Sequence, residues 1–249
     1  MTITSSQNQR LKEIRRLCER RRWRERAGRF VAEGEDLLAA ADAAGWTPVQ
    51  RYCAAGSGLA GTEVDAHVLA RACGLASGTR TLAVYEQRWA DRPLGPLCVY
   101  LHGVHDPGNV GAVLRAAHAF AASCVALGPG SADPFNPKTV RASMGSVFAV
   151  PIARAICAAD LPGTTVALVP GRGERLTDLW KAPTPIAKSD ELRQPRELTI
   201  LVGAERDGLP ESIVGAADQT AHIPIATDSL NAAMAATIAL YELTRMAPA

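Results

Sequence analysis

Short apolar segments alternate with helical patterns through the second half of this chain, and this alternation constrains the fold more than any other feature. Six segments have the length and character of buried strands: Leu97–Leu101, Cys124–Leu127, Ser146–Ile152, Thr165–Val169, Leu198–Val202 and Ala221–Ile225. Helical patterns cover Asn109–Ala122, Asn136–Met144 and Ser229–Met246. Strands that alternate with helices form a mostly parallel sheet with helices on both faces, so we predict an α/β fold. Ligands of such sheets bind at the carboxyl ends of strands, here the loops after Leu101, Val202 and Ile225.

The residues before Pro96 predict a separate, small α/β domain. Asn8–Arg26 has a helical pattern in which Leu11, Ile14 and Leu17 form an apolar stripe. A second helical pattern and short apolar segments follow it, and the polar stretch Glu86–Pro96 has the composition of a linker. We therefore expect two domains, at residues 1–90 and 91–249.

Charge is concentrated at the amino terminus. The first thirty residues contain ten basic and three acidic side chains, a net charge of +7, whereas the whole chain carries +2. Such a concentration predicts a polyanionic partner, and the alternative is a solvated helix face. The candidate contacts are Arg10, Lys12, Arg15, Arg16, Arg20, Arg21 and Arg22. Aromatic residues make up only 5% of the chain, so we do not expect broad base-stacking platforms to dominate.

Cysteine spacing and hydropathy indicate a reducing, aqueous setting. The six cysteines are scattered and form no CxxC pair, which argues against a zinc site or a disulfide framework. The polar first ten residues do not have the pattern of a signal peptide, and no apolar run has the length of a membrane span. We expect a cytoplasmic protein with no membrane partner and no bound metal.

Two patterns suggest other chemistry and are weaker than they first look. Gly56–Gly61 matches the GxGxxG pattern of dinucleotide sites, but the next helical pattern begins only near Val64, too late to face a pyrophosphate. A dinucleotide-dependent enzyme is kept as an alternative, which binding of a nicotinamide cofactor would reveal. His102, His105 and Asp106 could ligate a metal, yet no second cluster of histidine or cysteine is present to complete the coordination.

Three further segments place polar residues or glycines directly after predicted strands: Asp106–Arg115, Leu201–Leu209 and Ile223–Asn231. Each also has a purely structural interpretation. Asn109 and Ser229 could cap helices, Arg115 could be a surface residue, and Gly203 could form a turn. Any one segment alone would favour that structural interpretation.

Together these segments closely resemble the SpoU/TrmH family of RNA ribose methyltransferases, within the SPOUT superfamily. Its motifs read approximately D-P-x-N-x-G-x-x-x-R, G-x-E-x-x-G-L and I-P-x…S-L-N, and all three occur here in order. Asn136–Gly145 is also family-like, and Ala32–Glu35 after a basic helix resembles the family's substrate-binding domain. Arg206 and Asp207 depart from a commoner small-and-acidic pair, which affects substrate contacts rather than the fold.

The resemblance implies a fold, a cofactor and an assembly. The expected fold is a SPOUT-type, mostly parallel sheet with a carboxyl-terminal trefoil knot, preceded by a small α/β RNA-binding domain. S-adenosylmethionine is the expected cofactor, and a homodimer with the active site at or near its interface is the expected assembly. The residues expected to hold the cofactor are Val202, Gly203, Ile223, Pro224, Ile225, Leu230, Asn231 and Met234.

The resemblance also assigns catalytic roles to Asn109, Arg115, Glu205, Ser229 and Asn231. A guanidinium stays protonated in proteins and is a poor base. We therefore expect Arg115 to bind the adjacent phosphate and stabilise the developing alkoxide, while Glu205 holds Arg115 or Asn231. Arg141 is expected to contact RNA phosphates. Ribosomal RNA is favoured over transfer RNA as substrate, and a non-catalytic RNA-binding protein is a second alternative beside the dinucleotide-dependent enzyme.

Overall fold

The computed structural model of the chain describes residues 2–73, 79–179 and 197–246. In chain order its helices and strands are α1 (Gln9–Glu19), α2 (Arg21–Ala27), β1 (Arg29–Glu33), α3 (Glu35–Ala43), β2 (Gln50–Ala54), β3 (Thr62–Val64), α4 (Ala66–Cys73), β4 (Thr81–Glu86), β5 (Leu97–Leu101), α5 (Pro107–Ala119), β6 (Cys124–Leu127), α6 (Pro137–Ala142), β7 (Ile152–Arg154), β8 (Thr164–Leu168), β9 (Glu174–Arg175), β10 (Leu198–Val202), α7 (Glu211–Ala216), β11 (Gln219–His222) and α8 (Ala232–Met246).

The chain divides into two compact units. The amino-terminal unit consists of Met1–Arg88 and Asp133–Ala149, and the carboxyl-terminal unit consists of Trp89–Ala132 and Val150–Ala249. The predicted division into residues 1–90 and 91–249 did not include the return of residues 133–149 to the first unit. That return rests on tertiary packing, because the segment's apolar residues find their partners far away in sequence.

A four-stranded mixed sheet organises the amino-terminal unit, in the order β1-β4-β2-β3. β4 pairs antiparallel with β1 and β2, and β2 pairs parallel with β3. Helix α1 buries Leu11, Ile14 and Leu17, the predicted apolar stripe, in one core with residues of this sheet. Burial of this stripe leaves the basic residues of α1 on its outer side.

The predicted single helix Asn8–Arg26 is in fact two helices, α1 and α2. The break falls at Arg20, whose backbone is extended with φ −127° and ψ 116°. The side chain of Arg24 explains the break, because its guanidinium donates to the carbonyl oxygen of Leu17 at 2.7 Å and so caps the end of α1. The same guanidinium is buried against the Asp133 carboxylate at 2.7 Å, which ties the return segment to these helices.

An aromatic cluster fixes the rest of the return segment within the amino-terminal unit. The ring of Phe30 lies 4.8 Å from Phe135 and 5.9 Å from Phe148, and Trp46 donates its indole N–H to the Phe148 carbonyl oxygen at 2.8 Å. The strand predicted over Ser146–Ile152 was wrong at every residue except Ile152, its last. Ser146–Phe148 form a 3₁₀ turn, and β7 begins only at Ile152. A short apolar run does not by itself distinguish a strand from a buried turn.

A seven-stranded sheet organises the carboxyl-terminal unit, in the order β7-β6-β5-β10-β8-β11-β9. All its pairings are parallel, which confirms the predicted α/β class. β5 lies inside the sheet, and β6 and β7 follow it toward one edge. The strands that come later in the chain, β8 to β11, lie between β5 and the opposite edge, so the strand order reverses between β5 and β10. A parallel sheet binds ligands at such a reversal, outside the carboxyl ends of its strands. Helix α8 packs against α5 and β10 on one face of this sheet.

Candidate active site

The loops after β5, β10 and β11 meet at the carboxyl edge of the seven-stranded sheet. β5 and β10 are in parallel register, with Leu101 opposite Val202, and the His102 amide extends the pairing by donating to the Val202 carbonyl oxygen at 2.9 Å. The two loops therefore begin side by side. The third loop follows β11 and leads into α8, which returns to α5.

Asn109 is positioned by the capping of α5. The carboxylate of Asp106 accepts a hydrogen bond from the backbone N–H of Asn109 at 3.0 Å. Pro107 occupies the first turn of the helix, where its missing N–H has no cost. Asp106, rather than Asn109, is thus the cap of this helix. The Asn109 side chain is left available for other contacts.

A series of side-chain hydrogen bonds joins the three sequence motifs. Asn109 donates its amide N–H to a carboxylate oxygen of Glu205, and its Oδ1 accepts from Nδ2 of Asn231 at 2.9 Å. Asn231 in turn accepts from the backbone amides of Ala233 and Met234 at 2.9 and 3.2 Å, and so caps α8. Helix α8 consequently begins at Ala232 and not at the predicted Ser229. The side-chain oxygen and nitrogen of each asparagine both have defined partners, which fixes the orientation of the two amides.

Arg115 and Ser229 lie outside this hydrogen-bond series. Arg115 is exposed on α5, about 9 Å along the helix from Asn109 and on a different face. It has no ion pair or side-chain hydrogen bond with the residues that the structure describes, so the expected contact from Glu205 goes to Asn109 instead. Ser229 is exposed, and its carbonyl oxygen accepts from the Thr227 hydroxyl at 3.3 Å.

The loop after β10 is a tight backbone cradle. The amide of Ala204 donates to the Gly208 carbonyl oxygen at 3.2 Å, and the Gly208 amide donates back to Ala204 at 3.0 Å. A Cβ on Gly203 would lie 2.2 Å from the carbonyl carbon of Gly208, so only glycine fits this position. Gly208 itself has a φ of +65°, which glycine adopts without strain.

The loop after β11 presents backbone groups that have no hydrogen-bond partner among the described residues. No internal hydrogen bond within the described part of the chain involves the backbone of Ile223–Ala226. The remaining predicted cofactor residues surround these loops with different exposure: Val202 is buried, Leu230 is half-buried, and Met234 is 61% exposed on the first turn of α8. The site thus combines backbone donors and acceptors with apolar side chains.

A pair formed by the buried Tyr100 and the half-buried His102 lies at the end of β5 and was not predicted. The Tyr100 hydroxyl lies 3.0 Å from Nδ1 of His102. Burial lowers the pKa of His102, and burial, with the nearby Cys157 and Asp160, raises the pKa of Tyr100 to about 12. Both groups are therefore neutral near pH 7. No sequence motif marks the pair, although the fixed spacing of two residues on one strand face could have suggested it.

The predicted RNA contacts lie in the amino-terminal unit, and they differ in how their charges are paired. Arg10, Lys12, Arg15 and Arg16 lie on α1, Arg20 lies at the break, and Arg21 and Arg22 lie on α2. Arg21 is paired with Glu25 at 2.8 Å, and Arg141 on α6 lies 3.9 Å from Glu33. Sequence reasoning did not name Trp23, which lies among these cations. Its position beside charged residues in a basic helix was the available signal.

The weaker sequence patterns have ordinary surroundings. Gly56–Gly61 lies in the connection between β2 and β3, and no helix begins within it. His102, His105 and Asp106 do not come together as a metal site. Among the described residues, no three His, Cys, Asp or Glu side chains are placed so that they could hold a metal ion. Within those same ranges no helix is both long enough and apolar enough to span a membrane.

Comparison with known proteins identifies relatives that match a large part of the chain. Residues 96–241 match the SpoU rRNA Methylase family. An uncharacterized tRNA/rRNA methyltransferase of Mycobacterium tuberculosis is 36% identical over 204 residues, which cover 77% of this chain and 68% of that protein. The 23S rRNA (guanosine(2553)-2'-O)-methyltransferase of Bacillus subtilis is 33% identical over 145 residues, 57% of this chain and 56% of that protein.

A solved structure resembles both units of the chain. The crystal structure of the AdoMet-bound rRNA methyltransferase from Sinorhizobium meliloti superposes with a TM-score of 0.82 at 31% identity, covering 100% of this chain and 99% of that one. The relative was crystallised with the cofactor that the sequence motifs imply.

Proposed function

The chain belongs to the SpoU rRNA methylase family, and from that premise we propose that it transfers the methyl group of S-adenosylmethionine to a ribose 2′-hydroxyl of RNA, with ribosomal RNA as its substrate. The observation that carries this proposal is the hydrogen-bond series from Glu205 through Asn109 to Asn231. It joins one residue from each of the three sequence motifs at the carboxyl edge of a parallel sheet, where a ligand is expected.

The loops after β10 and β11 fit S-adenosylmethionine. Gly203 forms a cradle that a Cβ would fill, and the backbone of Ile223–Ala226 offers hydrogen-bond donors and acceptors suited to an adenine and a ribose. Val202, Leu230 and Met234 add the apolar lining that small-molecule sites use. When bound, the cofactor supplies a methyl group already activated on a sulfonium.

The protein's own residues have two tasks, alignment and charge stabilisation. Asn109, held by Glu205 and Asn231, orients the ribose hydroxyl in line with the methyl group, since fixed alignment can supply a large part of the rate. In the step itself the 2′-oxygen gains a bond to the methyl carbon and the carbon–sulfur bond breaks. The hydroxyl proton leaves to the neighbouring phosphate or to water. Ser229, exposed beside the capped start of α8, helps to shape the pocket.

Arg115 acts on the substrate rather than on the hydrogen-bond series. Its guanidinium is exposed, and within the described residues no carboxylate neutralises it, so its charge is available for an RNA phosphate and for the developing alkoxide. A guanidinium that stays protonated stabilises negative charge without accepting the proton.

A homodimer accounts for the exposed apolar face of α8. Met234, Ile238 and Tyr241 follow one another at helical spacing and are 61%, 36% and 48% exposed, and the Phe120 ring contacts Tyr241 at 6.2 Å. A contiguous apolar patch of this kind marks a protein interface. Because α5 packs against α8, a second copy on this face would bring Arg115 close to the partner subunit's site.

Further parts of the proposal concern topology, domains and setting. The carboxyl-terminal segment forms a trefoil knot, which is consistent with the insertion of β10 between β5 and β8 and with the return of α8 to α5. The amino-terminal unit selects the RNA through its basic helices. The protein works in the cytoplasm, where ribosomal RNA is available.

Methyl transfer to purified RNA tests the proposed activity and the choice of substrate. The protein is incubated with labelled S-adenosylmethionine and either ribosomal or transfer RNA from cells that lack it. We expect labelled ribosomal RNA with one alkali-resistant linkage, because a 2′-O-methyl group blocks alkaline cleavage. Labelling of transfer RNA alone would change the substrate, and binding of RNA without transfer would identify a non-catalytic RNA-binding protein.

A further inference from the structure

A pocket of about 390 Å³ lies in the amino-terminal unit where α1 gives way to α2. The residues that line it come from α1, from the break and from the first turn of α2: Lys12, Arg15, Arg16, Glu19, Arg20 and Trp23. Its volume lies within the range of pockets that bind one small organic ligand, roughly 300–1,000 Å³. The break at Arg20, which Arg24 maintains from inside, creates the concave surface.

The charge of the pocket is not balanced from within the protein. Four cations and one carboxylate line it, and none of the four cations has an ion pair within the described residues. Neighbouring arginines differ in this respect. Arg21 is paired with Glu25 at 2.8 Å, Arg24 with Asp133 at 2.7 Å and Arg29 with Glu13 at 3.8 Å. Four basic residues without an ion pair among the described residues therefore line the pocket, against one carboxylate, which favours an anionic ligand.

Trp23 adds an aromatic surface to this basic pocket. Its ring is only half-buried and does not belong to the core that α1 forms with the sheet. The guanidinium of Arg16 lies 4.9 Å from the ring centroid, and that of Arg26 lies 5.7 Å from it. An indole among guanidinium groups is the arrangement on which an unstacked nucleobase packs, since bases stack on both kinds of plane.

We propose that this pocket binds one unpaired nucleotide of the RNA substrate, with its base stacked on Trp23 and its flanking phosphates contacted by Lys12, Arg15, Arg16 and Arg20. The inference rests on the proposed function for the identity of the ligand as RNA. Bases within a duplex are already stacked and cannot reach the ring. The pocket therefore selects a loop, a bulge or a single-stranded end and discriminates against a continuous helix.

Binding of short RNA by the full-length protein tests this proposal. The probes are a fluorescently labelled ten-nucleotide single strand and the same strand annealed to its complement. We compare the wild type with Trp23→Leu, which removes the aromatic plane, and Trp23→Phe, which keeps one. Trp89→Leu is the matched control, because Trp89 also lies under a guanidinium, that of Arg154 at 4.2 Å, but outside the pocket.

Removal of the stacking surface should affect single strands alone. We expect Trp23→Leu to weaken single-strand binding about tenfold, Trp23→Phe and Trp89→Leu to stay within about threefold of the wild type, and duplex binding to stay unchanged. The slope of log affinity against log salt should be equal in the wild type and Trp23→Leu, because both proteins bind the same phosphates. For Arg16→Ala and Arg20→Ala the slope should decrease in magnitude by about 0.7 for each phosphate that the variant no longer binds.

Several results would overturn the pocket assignment: equal single-strand affinity of Trp23→Leu and the wild type, an equal decrease in affinity for duplex RNA, or no single-strand binding by the wild type. Calorimetric binding of S-adenosylmethionine by each variant shows that the protein is folded. Methyl transfer to ribosomal RNA is measured separately. If transfer fails and the Trp23 dependence holds, the proposed reaction is wrong and the nucleotide pocket stands. If transfer occurs and the dependence is absent, the pocket is wrong and the reaction stands.

Discussion

Replacing Gly203 with alanine tests whether the cradle after β10 is a binding element or only a turn. The added Cβ would lie 2.2 Å from the carbonyl carbon of Gly208 and 2.4 Å from its oxygen, whereas ordinary contacts begin at 3.4 Å. The clash involves backbone atoms on both sides, so no side-chain rotation relieves it. The loop has to open by about 1 Å, which disturbs the paired hydrogen bonds between Ala204 and Gly208.

The magnitude follows from the cost of overpacking. Forcing one methyl group into a filled site costs about 1–3 kcal/mol. For a chain of this size that range corresponds to a decrease in Tm of about 2–12 °C. Affinity for S-adenosylmethionine should decrease at least about tenfold, because the displaced backbone belongs to the cradle that we propose as the cofactor site.

Two other glycines of the same region provide matched controls. A Cβ on Gly215, in α7, meets nothing within 4 Å, so Gly215→Ala should leave cofactor affinity unchanged and Tm equal or slightly higher. A Cβ on Gly208 also meets nothing within 4 Å. An alanine at its φ of +65° should nevertheless lower the free energy of unfolding by about 1 kcal/mol. Differential scanning fluorimetry and titration calorimetry measure both quantities. Cofactor binding by Gly203→Ala equal to that of Gly215→Ala would refute the cradle.

The remaining predictions concern catalysis, a buried ion pair and acid stability. Arg115→Ala should reduce turnover about 100-fold or more with little change in calorimetric cofactor affinity, and near-normal single-turnover rates on saturating RNA would remove Arg115 from the active site. Arg24→Met should lower the free energy of unfolding by about 3–5 kcal/mol in urea titrations, because it leaves the Asp133 carboxylate buried without a cation. A decrease below about 1 kcal/mol would contradict the role assigned to this ion pair. Hydrogen bonds from the backbone N–H and the hydroxyl of Thr165 lower the pKa of Asp218. The contribution of Asp218 to the stability of the folded protein should therefore be complete at neutral pH and disappear as the pH falls below about 4. The difference in Tm between the wild type and Asp218→Asn should shrink over that window, and a pH-independent difference would reject the explanation.

The parallel sheet and the place of the candidate site were predictable because both depend on short-range patterns. The alternation after Leu97 indicated the sheet, and the rule that ligands bind at strand ends selected the loops after Leu101, Val202 and Ile225. The helix caps were predicted less well. Asn109 and Ser229 are both acceptable caps by residue type, yet Asp106 and Asn231 perform that role.

Features that depend on distant partners could not be predicted from local patterns. The break at Arg20 has no glycine or proline to announce it, and it follows from the contact of Arg24 with Leu17 and Asp133. The return of residues 133–149 depends on the packing of Phe135 and Phe148 against residues about 100 positions earlier. In the same way, the motifs predicted that Asn109, Glu205 and Asn231 share a site, but not that Glu205 contacts Asn109 rather than Arg115.

The position of the transferred methyl group tests the central claim most directly. After the methylated nucleotide of ribosomal RNA is mapped, two RNA fragments are prepared that differ only in having ribose or 2′-deoxyribose at that nucleotide. We predict methyl transfer to the ribose fragment and none to the deoxyribose fragment, although both bind the protein with similar affinity. Equal transfer to the deoxyribose fragment would show that the methyl group goes to a base, and it would contradict the assignment of this chain as a ribose 2′-O-methyltransferase.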